Sequence, residues 1–204
     1  MTIAVASGNA HKIKEIGGML SLADVEFVSM RSLGVTEDIE ENGMTFAENA
    51  LIKARFVCRK TGLPAIADDS GLCVDALDGA PGVFSARFAA DETPGASDEA
   101  NVDKLLRLLE GVPDEKRTAH FVCAMAAVFP DGEEAVVTGR CFGRITHERH
   151  GTGGFGYDPV FFADDVGKTF GDASEEEKNA VSHRANAVSL LKKELIAKIN
   201  VKGA

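Results

Sequence analysis

The hydrophobic positions of the chain follow two periods in turn, which predicts a mixture of strands and helices. An apolar run from Ile3 to Ala6 predicts a strand, and apolar residues recur at helical spacing from Ala10 to Leu20. A capping box from Thr45 to Glu48 predicts the start of a second helix, which should end at Gly62. Further strands are expected at residues 25–28, 65–67, 118–129 and 135–145, and residues 71–77 could extend the strand at 65–67. Further helices are expected from Ser97 to Glu110 and from Ser174 and Ser182 onward.

The order of these elements indicates the fold class. Helices alternate with strands early in the chain, and a long hairpin follows around the turn at 130–133. We therefore expect an α/β fold with a mixed sheet. A length of 204 residues fits one domain, spanning residues 1–204 and divided into two lobes, and a hydrophobic content of 45% is enough for a sizeable core.

Composition restricts the classes of partner. The formal net charge of −10 argues against coating of a nucleic acid backbone, which needs a basic surface, but a few local Lys and Arg can still hold a small anion. The four cysteines form no C-x-x-C pair and lie among apolar neighbours, so we expect reduced thiols and a cytoplasmic location. No basic n-region precedes an apolar stretch at the start, and the longest apolar run is too short to span a membrane.

Two adjacent acids, Asp68 and Asp69, follow the apolar run 65–67 and precede Ser70 and Gly71. Because burial of an unpaired charge is costly, a strand that ends on two acids suggests a site. Carboxylates at the C-terminal end of a strand can hold a divalent cation or activate a water molecule. The alternative is a turn, for which Asp-Asp-Ser-Gly is also suitable.

The segment Ser7-Gly8-Asn9-Ala10-His11-Lys12 lies between the first predicted strand and helix. Backbone N–H groups at a helix start favour anions, and a lysine one turn later adds a full charge. The segment resembles a shortened phosphate cradle, and the alternative is a capped helix with a surface lysine.

An acidic loop precedes the second helix. Asp38, Glu40 and Glu41 lie in this loop, and Asn49 and Lys53 lie on one helical face at i, i+4. One of the acids could complete a Mg²⁺ site with the acid at position 69. The alternative is that the acids only favour the helix dipole.

Two later segments could bind a planar ring and its polar atoms. Three glycines surround Phe155 in the loop 151–159, which would allow close backbone approach and stacking, and Asp158 could accept from a base or ribose. Lys178, His183 and Arg184 offer donors near a helix start, where cations oppose the dipole unless a ligand oxygen compensates. The alternatives are a core-covering loop and a basic surface turn.

Together these segments closely resemble the inosine/xanthosine triphosphate pyrophosphatases. The shared motifs, in family order from residue 3 to about 191, are Ser-Gly-Asn-x-x-Lys, Thr-Phe-x-x-Asn-Ala-x-x-Lys-Ala, Ala-Asp-Asp-Ser-Gly-Leu, Gly-Ala-Pro-Gly-Val-x-Ser-Ala-Arg-Phe, Gly-Gly-Phe-Gly-Tyr-Asp-Pro and Ser-His-Arg. The resemblance implies an elongated mixed sheet with flanking helices in two lobes around a cleft. It also implies Mg²⁺-dependent hydrolysis of ITP, dITP and XTP to the monophosphate and pyrophosphate, usually by a homodimer.

The resemblance also implies roles for individual residues. Asp69 would hold Mg²⁺ and act as the base, and Glu41 is our choice for the second metal ligand, with Asp38 and Glu40 left open. The substrate-binding residues would be Ser7, Gly8, Asn9, Ala10, His11, Lys12, Lys53, Ser70, Phe155, Gly156, Tyr157, Asp158, Lys178, His183 and Arg184. The rival interpretations are a Maf-type pyrophosphatase for modified pyrimidines, a non-catalytic nucleotide sensor and an Asp-Asp phosphatase.

Overall fold

The structure of the protein is a computed structural model that describes residues 1–8, 16, 19–95 and 97–202. Most of the first predicted helix, 10–20, lies outside the described residues, although Ile16 and Met19 are helical. Among the described residues, no helix is both long and apolar enough to cross a membrane.

The described residues include seven strands, which form one sheet in the order β2-β1-β3-β4-β5-β6-β7. The strands are β1 (Thr2–Val5), β2 (Glu26–Ser29), β3 (Ala65–Val74), β4 (Thr118–Val128), β5 (Glu134–Ile145), β6 (Phe161–Ala163) and β7 (Lys168–Thr169). Strand β1 pairs in parallel with β2 and β3, whereas β6 pairs antiparallel with β5 and β7. The predicted mixed sheet is therefore confirmed.

The helices begin where the sequence places their caps. They are α1 (Phe46–Thr61), α2 (Asp98–Leu108), α3 (Glu175–Val181) and α4 (His183–Lys202). Thr45 and Ser174 each form a complete capping box, and Gly62 ends α1 in the left-handed conformation with φ 67°. Helix α4 begins one residue later than expected, because Ser182 is extended and its amide ends α3 on the carbonyl of Lys178.

The chain divides into two compact units. Unit 1 contains Met1–Asp69, Cys123–Gly139 and Arg184–Ala204, and unit 2 contains Ser70–Val122 and Arg140–His183. The chain passes from one unit to the other after Asp69 and after His183, that is, inside two of the predicted functional motifs.

Unit 1 has a core on both faces of its strands because successive strand residues point in opposite directions. Ala65 and Ala67 pack with Ala50 and Ala54 of α1, where small side chains permit close approach. Ile66 points the other way and packs in a cluster with residues of α4 that include Val188, Leu191 and Leu195.

The core cluster found among the described residues of unit 2 includes Leu72, Leu105, Phe121, Phe161 and Phe170. On β5 the buried residues at 141, 143 and 145 alternate with exposed residues at 140, 142 and 144. This is the pattern of an antiparallel strand with one face in the core and one in solvent.

The third strand continues into the segment 71–77 that was expected to be able to extend it, and the prediction that the strand ends on the two acids is wrong. Strand β3 continues to Val74, so Asp68 and Asp69 lie inside it. The register pairs Val5, the last residue of β1, with Ile66. The two acids therefore lie just beyond the carboxyl end of β1, although they do not end β3. The strand can carry buried acids because each of them has a cationic side chain nearby, as described below.

Candidate active site

Asp69 is held by two side chains of helix α1. Its Oδ2 accepts a hydrogen bond of 3.0 Å from Asn49 Nδ2, and its Oδ1 lies 3.8 Å from Lys53 Nζ. Asp69 is only 8% exposed, so both donors act where water competes little. Helical spacing explains the arrangement, since residues at i and i+4 lie on the same face.

The same lysine also binds the acidic loop. Lys53 Nζ donates to Glu41 Oε2 at 2.9 Å. Asp38 and Glu40 have exposed side chains, so Glu41 is the acid of this loop that shares an ammonium with Asp69. The choice of Glu41 over Asp38 and Glu40 as the second metal ligand stays a prediction.

Asp68, the neighbour of Asp69, points to a different cation. Its Oδ2 lies 3.5 Å from Arg184 Nη2, and both side chains are at most 1% exposed. Arg184 was predicted to contact the base, but within unit 1 its guanidinium is paired with Asp68. A buried pair of this kind is costly to break, because the remaining charge has no solvent.

The predicted phosphate cradle is described only at its beginning. Ser7 is buried and Gly8 is exposed directly after β1, while Asn9, Ala10, His11 and Lys12 lie outside the described residues. A Cβ atom placed on Gly8 would lie 3.7 Å from Arg31 Nη2, so a guanidinium that sequence analysis did not single out lies beside this segment. No spacing or motif pointed to Arg31. It follows β2, Gly8 follows β1, and the parallel pairing of these two strands brings the two segments together.

In unit 2, the glycine-rich loop is organised by Asp158. Its Oδ2 accepts from the Phe155 amide and from Lys178 Nζ, each at 2.8 Å, and the side chain is almost fully buried. The Lys178 ammonium lies 4.8 Å from the centre of the Phe155 ring, within cation–π range. Asp158 therefore fixes the loop and the lysine beside it, and the role of hydrogen-bond acceptor for a base or ribose that the sequence suggested stays a prediction.

The glycines of this loop are required by the protein itself. Gly154 has φ +74°, and a Cβ atom there would overlap the Asp158 carboxylate. Gly151 has φ +73°, and a Cβ atom there would overlap the carbonyl of Gly171. The sequence interpretation, that the glycines allow close approach of a ligand, missed these internal contacts.

Two predicted substrate contacts have buried rings. Tyr157 is 5% exposed, and its hydroxyl donates to the Ser85 carbonyl at 2.9 Å. Burial raises the pKa of the Tyr157 phenol well above its usual value. The ring of His183 stacks on Phe121 with 4.7 Å between centroids. Since the Tyr157 hydroxyl is engaged inside unit 2, any part it takes in binding comes from the loop backbone.

Among the remaining predicted residues, Phe155, Gly156 and Ser70 are half-buried. The Gly156 amide donates to Asp98 Oδ2 at 3.0 Å, which ties the loop to the start of α2. Asn49 is a residue that sequence reasoning placed next to Lys53 on one helical face but did not assign to the site. The spacing was the signal that placed it beside Lys53, whereas its contact with Asp69 depends on tertiary packing.

The part of the chain that the structure describes holds no cluster of three or more His, Cys, Asp or Glu side chains suited to a metal ion. Mg²⁺ in proteins is commonly held by one or two carboxylates together with water and substrate phosphates.

The chain is an α/β protein with a mixed sheet and a polar site built around the buried Asp69 of β3 and Lys53 of α1. Within that class, the chain belongs to the Ham1 family, whose model matches residues 3–194. It is 48% identical over 191 residues to a dITP/XTP pyrophosphatase of Pectobacterium atrosepticum, with 93% of this chain and 95% of that protein covered.

Solved structures give the same result for the fold. A HAM1 protein from Coxiella burnetii has a TM-score of 0.88 at 40% identity, with 97% of this chain and 99% of that chain covered. A nucleoside-triphosphatase, or dITP/XTP pyrophosphatase, from Mycobacterium abscessus has a TM-score of 0.77 at 46% identity, with 94% and 98% covered. These comparisons confirm the family and the fold that the sequence motifs implied.

Proposed function

We propose that this protein hydrolyses non-standard purine nucleoside triphosphates, namely ITP, dITP and XTP, to the monophosphate and pyrophosphate. The observation that carries the proposal is the Lys53 ammonium, which lies 2.9 Å from Glu41 and 3.8 Å from Asp69. This contact gathers two carboxylates and a cation at one point, in a chain whose relatives are named dITP/XTP pyrophosphatases.

The donor set fits Mg²⁺. Glu41 and Asp69 supply hard carboxylate oxygens, and their shared position beside the Lys53 ammonium supports the proposal that both face a single cation. When bound, Mg²⁺ would neutralise phosphate charge and polarise the phosphoryl group that is attacked.

Asp69 is the proposed general base. Its Oδ2 is fixed by Asn49, which leaves the carboxylate in one orientation to accept the proton of the attacking water. Water attacks the phosphorus of the α-phosphate. The bond between this phosphorus and the oxygen that it shares with the β-phosphate breaks, and pyrophosphate leaves with that oxygen.

The triphosphate is assigned to Ser7, Gly8, Asn9, Ala10, His11, Lys12, Lys53 and Ser70. About four negative charges must be offset, and charge-assisted hydrogen bonds are the strongest available for this purpose. Ser7 and Gly8 follow β1 directly, and the Arg31 guanidinium beside Gly8 adds positive charge at that end of the segment.

The base is assigned to the loop of unit 2 and to the motif that follows α3. The half-buried Phe155 ring offers a stacking surface, supported by Lys178 and Asp158, and Gly156 and Tyr157 contribute backbone. Backbone N–H groups near His183 and Arg184 would meet the carbonyl at purine position 6. Adenine carries a donor there instead, so we expect discrimination of up to ~10⁴-fold against it.

We also propose a homodimer in the cytoplasm that binds no nucleic acid polymer. All four cysteines are described residues and none is in a disulfide, which supports a reducing compartment. Several large apolar side chains are exposed, among them Phe84 at 55% and Phe142 at 60%, and such residues suit a subunit contact. The net charge of −10 opposes binding to a phosphate backbone.

The proposal is tested with a panel of ribo- and deoxynucleoside triphosphates in the presence of Mg²⁺, with products separated by anion exchange. We expect ITP, dITP and XTP to give the monophosphate and pyrophosphate in equal amounts. Stepwise release of phosphate would contradict the mechanism, and faster turnover of modified pyrimidine triphosphates would contradict the substrate class.

A further inference from the structure

We infer that Asn49 is a positioning residue that fixes Asp69 and the Glu41 loop relative to each other. The inference rests on the proposed function, because it concerns the two carboxylates proposed to hold the metal. The Asn49 amide contacts the loop through its oxygen and Asp69 through its nitrogen.

Both ends of the Asn49 amide are used. Its Oδ1 accepts the Gly43 N–H at 2.8 Å, and its Nδ2 donates to Asp69 Oδ2 at 3.0 Å. The backbone N–H can only donate, so it selects the oxygen end of the amide and turns the nitrogen end toward the carboxylate. Asn49 is 1% exposed, and water therefore competes little for either bond.

Gly43 lies two residues after Glu41, so the amide of Asn49 holds the loop that carries the second carboxylate. The fit is tight, because a Cβ atom on Gly43 would lie 2.7 Å from Asn49 Oδ1 and 2.7 Å from Glu48 Cβ. One helical turn later, Lys53 repeats the pattern by bonding Glu41 and approaching Asp69. Asn49 and Lys53 thus form two successive bridges from α1 to the same loop and the same strand.

The two bridges differ in what they can do. Lys53 carries a charge on a flexible stem and can turn toward a phosphate, whereas Asn49 is short, neutral and locked at both ends. Asn49 therefore keeps the distance between the loop and Asp69 when Lys53 moves. Loss of a partner behind a metal ligand typically weakens metal binding about 10- to 100-fold.

The test compares Asn49→Ala with Asn101→Ala. Asn101 is also 1% exposed and bridges two backbone groups, accepting from Ala89 N at 2.8 Å and donating to the Ala86 carbonyl at 3.3 Å, but it lies in unit 2. Mn²⁺ binding is measured by electron paramagnetic resonance, with thermal unfolding recorded for each variant. We expect both variants to lower the melting temperature and only Asn49→Ala to weaken Mn²⁺ binding, by about 10-fold or more.

A second variant covers the case in which Asn49→Ala does not fold. Gly43→Ala leaves the Asn49–Asp69 bond in place but forces the loop away from the Asn49 oxygen, and it should also weaken Mn²⁺ binding. Unchanged Mn²⁺ affinity in the folded Asn49 variant, or in Gly43→Ala, would overturn the role of Asn49 while leaving the proposed function intact. A wild-type protein that hydrolyses ITP without binding Mn²⁺ would overturn the inference, and one that binds Mn²⁺ but releases no pyrophosphate would overturn the proposed function alone.

Discussion

The ammonium of Lys178 and the carboxylate of Asp158 lie 2.8 Å apart, and both side chains are less than a tenth exposed. The pair is formed by α3 and the glycine-rich loop, so a charge on a helix fixes a loop that has little regular structure of its own. The lysine also lies over the Phe155 ring. The ring proposed to stack on the base is therefore held by an ion pair within the same unit.

Lys178→Met is expected to destabilise the protein by about 3–5 kcal/mol, because it leaves the Asp158 carboxylate buried without its cation. Lys168→Met is the matched control, since Lys168 bonds Glu177 at the same distance of 2.8 Å but on the surface. The control should cost less than about 1 kcal/mol. Urea unfolding of the two variants measures the difference, and equal losses would mean that the buried pair contributes no more than the exposed one.

Gly154→Ala should displace the Phe155 loop, because the new Cβ atom would overlap the carboxylate of Asp158. Gly156→Ala is the control: its φ is also positive, at +59°, but open space surrounds the position of its Cβ atom. Backbone strain alone, of about 1–2 kcal/mol, applies to both variants. We expect KM for ITP to rise about tenfold or more in Gly154→Ala beyond its value in Gly156→Ala. Steady-state kinetics with the two variants measures this difference in KM. Equal KM values would show that overlap with the Asp158 carboxylate does not displace the loop.

The local parts of the fold could be predicted from the sequence, because their causes lie within a few residues. The capping boxes at Thr45 and Ser174 and the apolar alternation of the strands are of this kind. The continuity of β3 through its two acids could not be predicted in this way. Whether a strand continues through Asp68 and Asp69 depends on Arg184 and Lys53, which are distant in sequence and reach the acids only in the folded chain.

In the candidate site, too, local features could be predicted from the sequence and tertiary contacts could not. The motifs identified residues of the right chemical type, and helical spacing placed Lys53 and Asn49 on one face. The partner of each side chain was not predictable, because it depends on tertiary packing. Tyr157 is an example, since its ring is buried and its hydroxyl bonds a carbonyl 72 positions away. An aromatic among glycines suggested ligand contact, and no local signal indicated a core residue.

Glu41→Gln should raise the Mg²⁺ concentration needed for half-maximal activity by about tenfold or more, because a neutral amide replaces a charged metal ligand. Glu40→Gln removes the same charge from the adjacent, exposed position and should leave this requirement within about twofold of wild type. Titration of activity with Mg²⁺ separates the two. If Glu40→Gln raised this Mg²⁺ concentration more than Glu41→Gln does, Glu41 would not be the second metal ligand.

Cys141→Ala should reduce the loss of stability at alkaline pH. Burial raises the pKa of the Cys141 thiol to about 12, whereas an unfolded thiol titrates near pH 8.5. Above about pH 8.5 the unfolded chain loses this proton and the folded chain keeps it, so stability falls as the pH rises. The thiol accounts for a slope of about 1 kcal/mol per pH unit between pH 9 and pH 10. Urea unfolding over this range should show a shallower slope in the variant, and parallel slopes would contradict the shift.

Asp69→Asn should abolish pyrophosphate release from ITP while the fold is kept. The amide has the size of the carboxylate, and its oxygen can still accept the hydrogen bond from Asn49, so the melting temperature should change little. The amide cannot take a proton from water and is a poor ligand for a hard cation, which together should lower the turnover number about 10³-fold or more.

Asp38→Asn is the matched control for Asp69→Asn, since it removes the same charge from an exposed position in the acidic loop. Single-turnover hydrolysis followed by pyrophosphate detection measures the chemical step for both variants. Because ITP binding draws on residues other than Asp69, the Asp69 variant should still bind ITP in equilibrium dialysis. Near-normal turnover in that variant would remove Asp69 from the role of base and metal ligand, and would leave the cluster around Lys53 with a structural role.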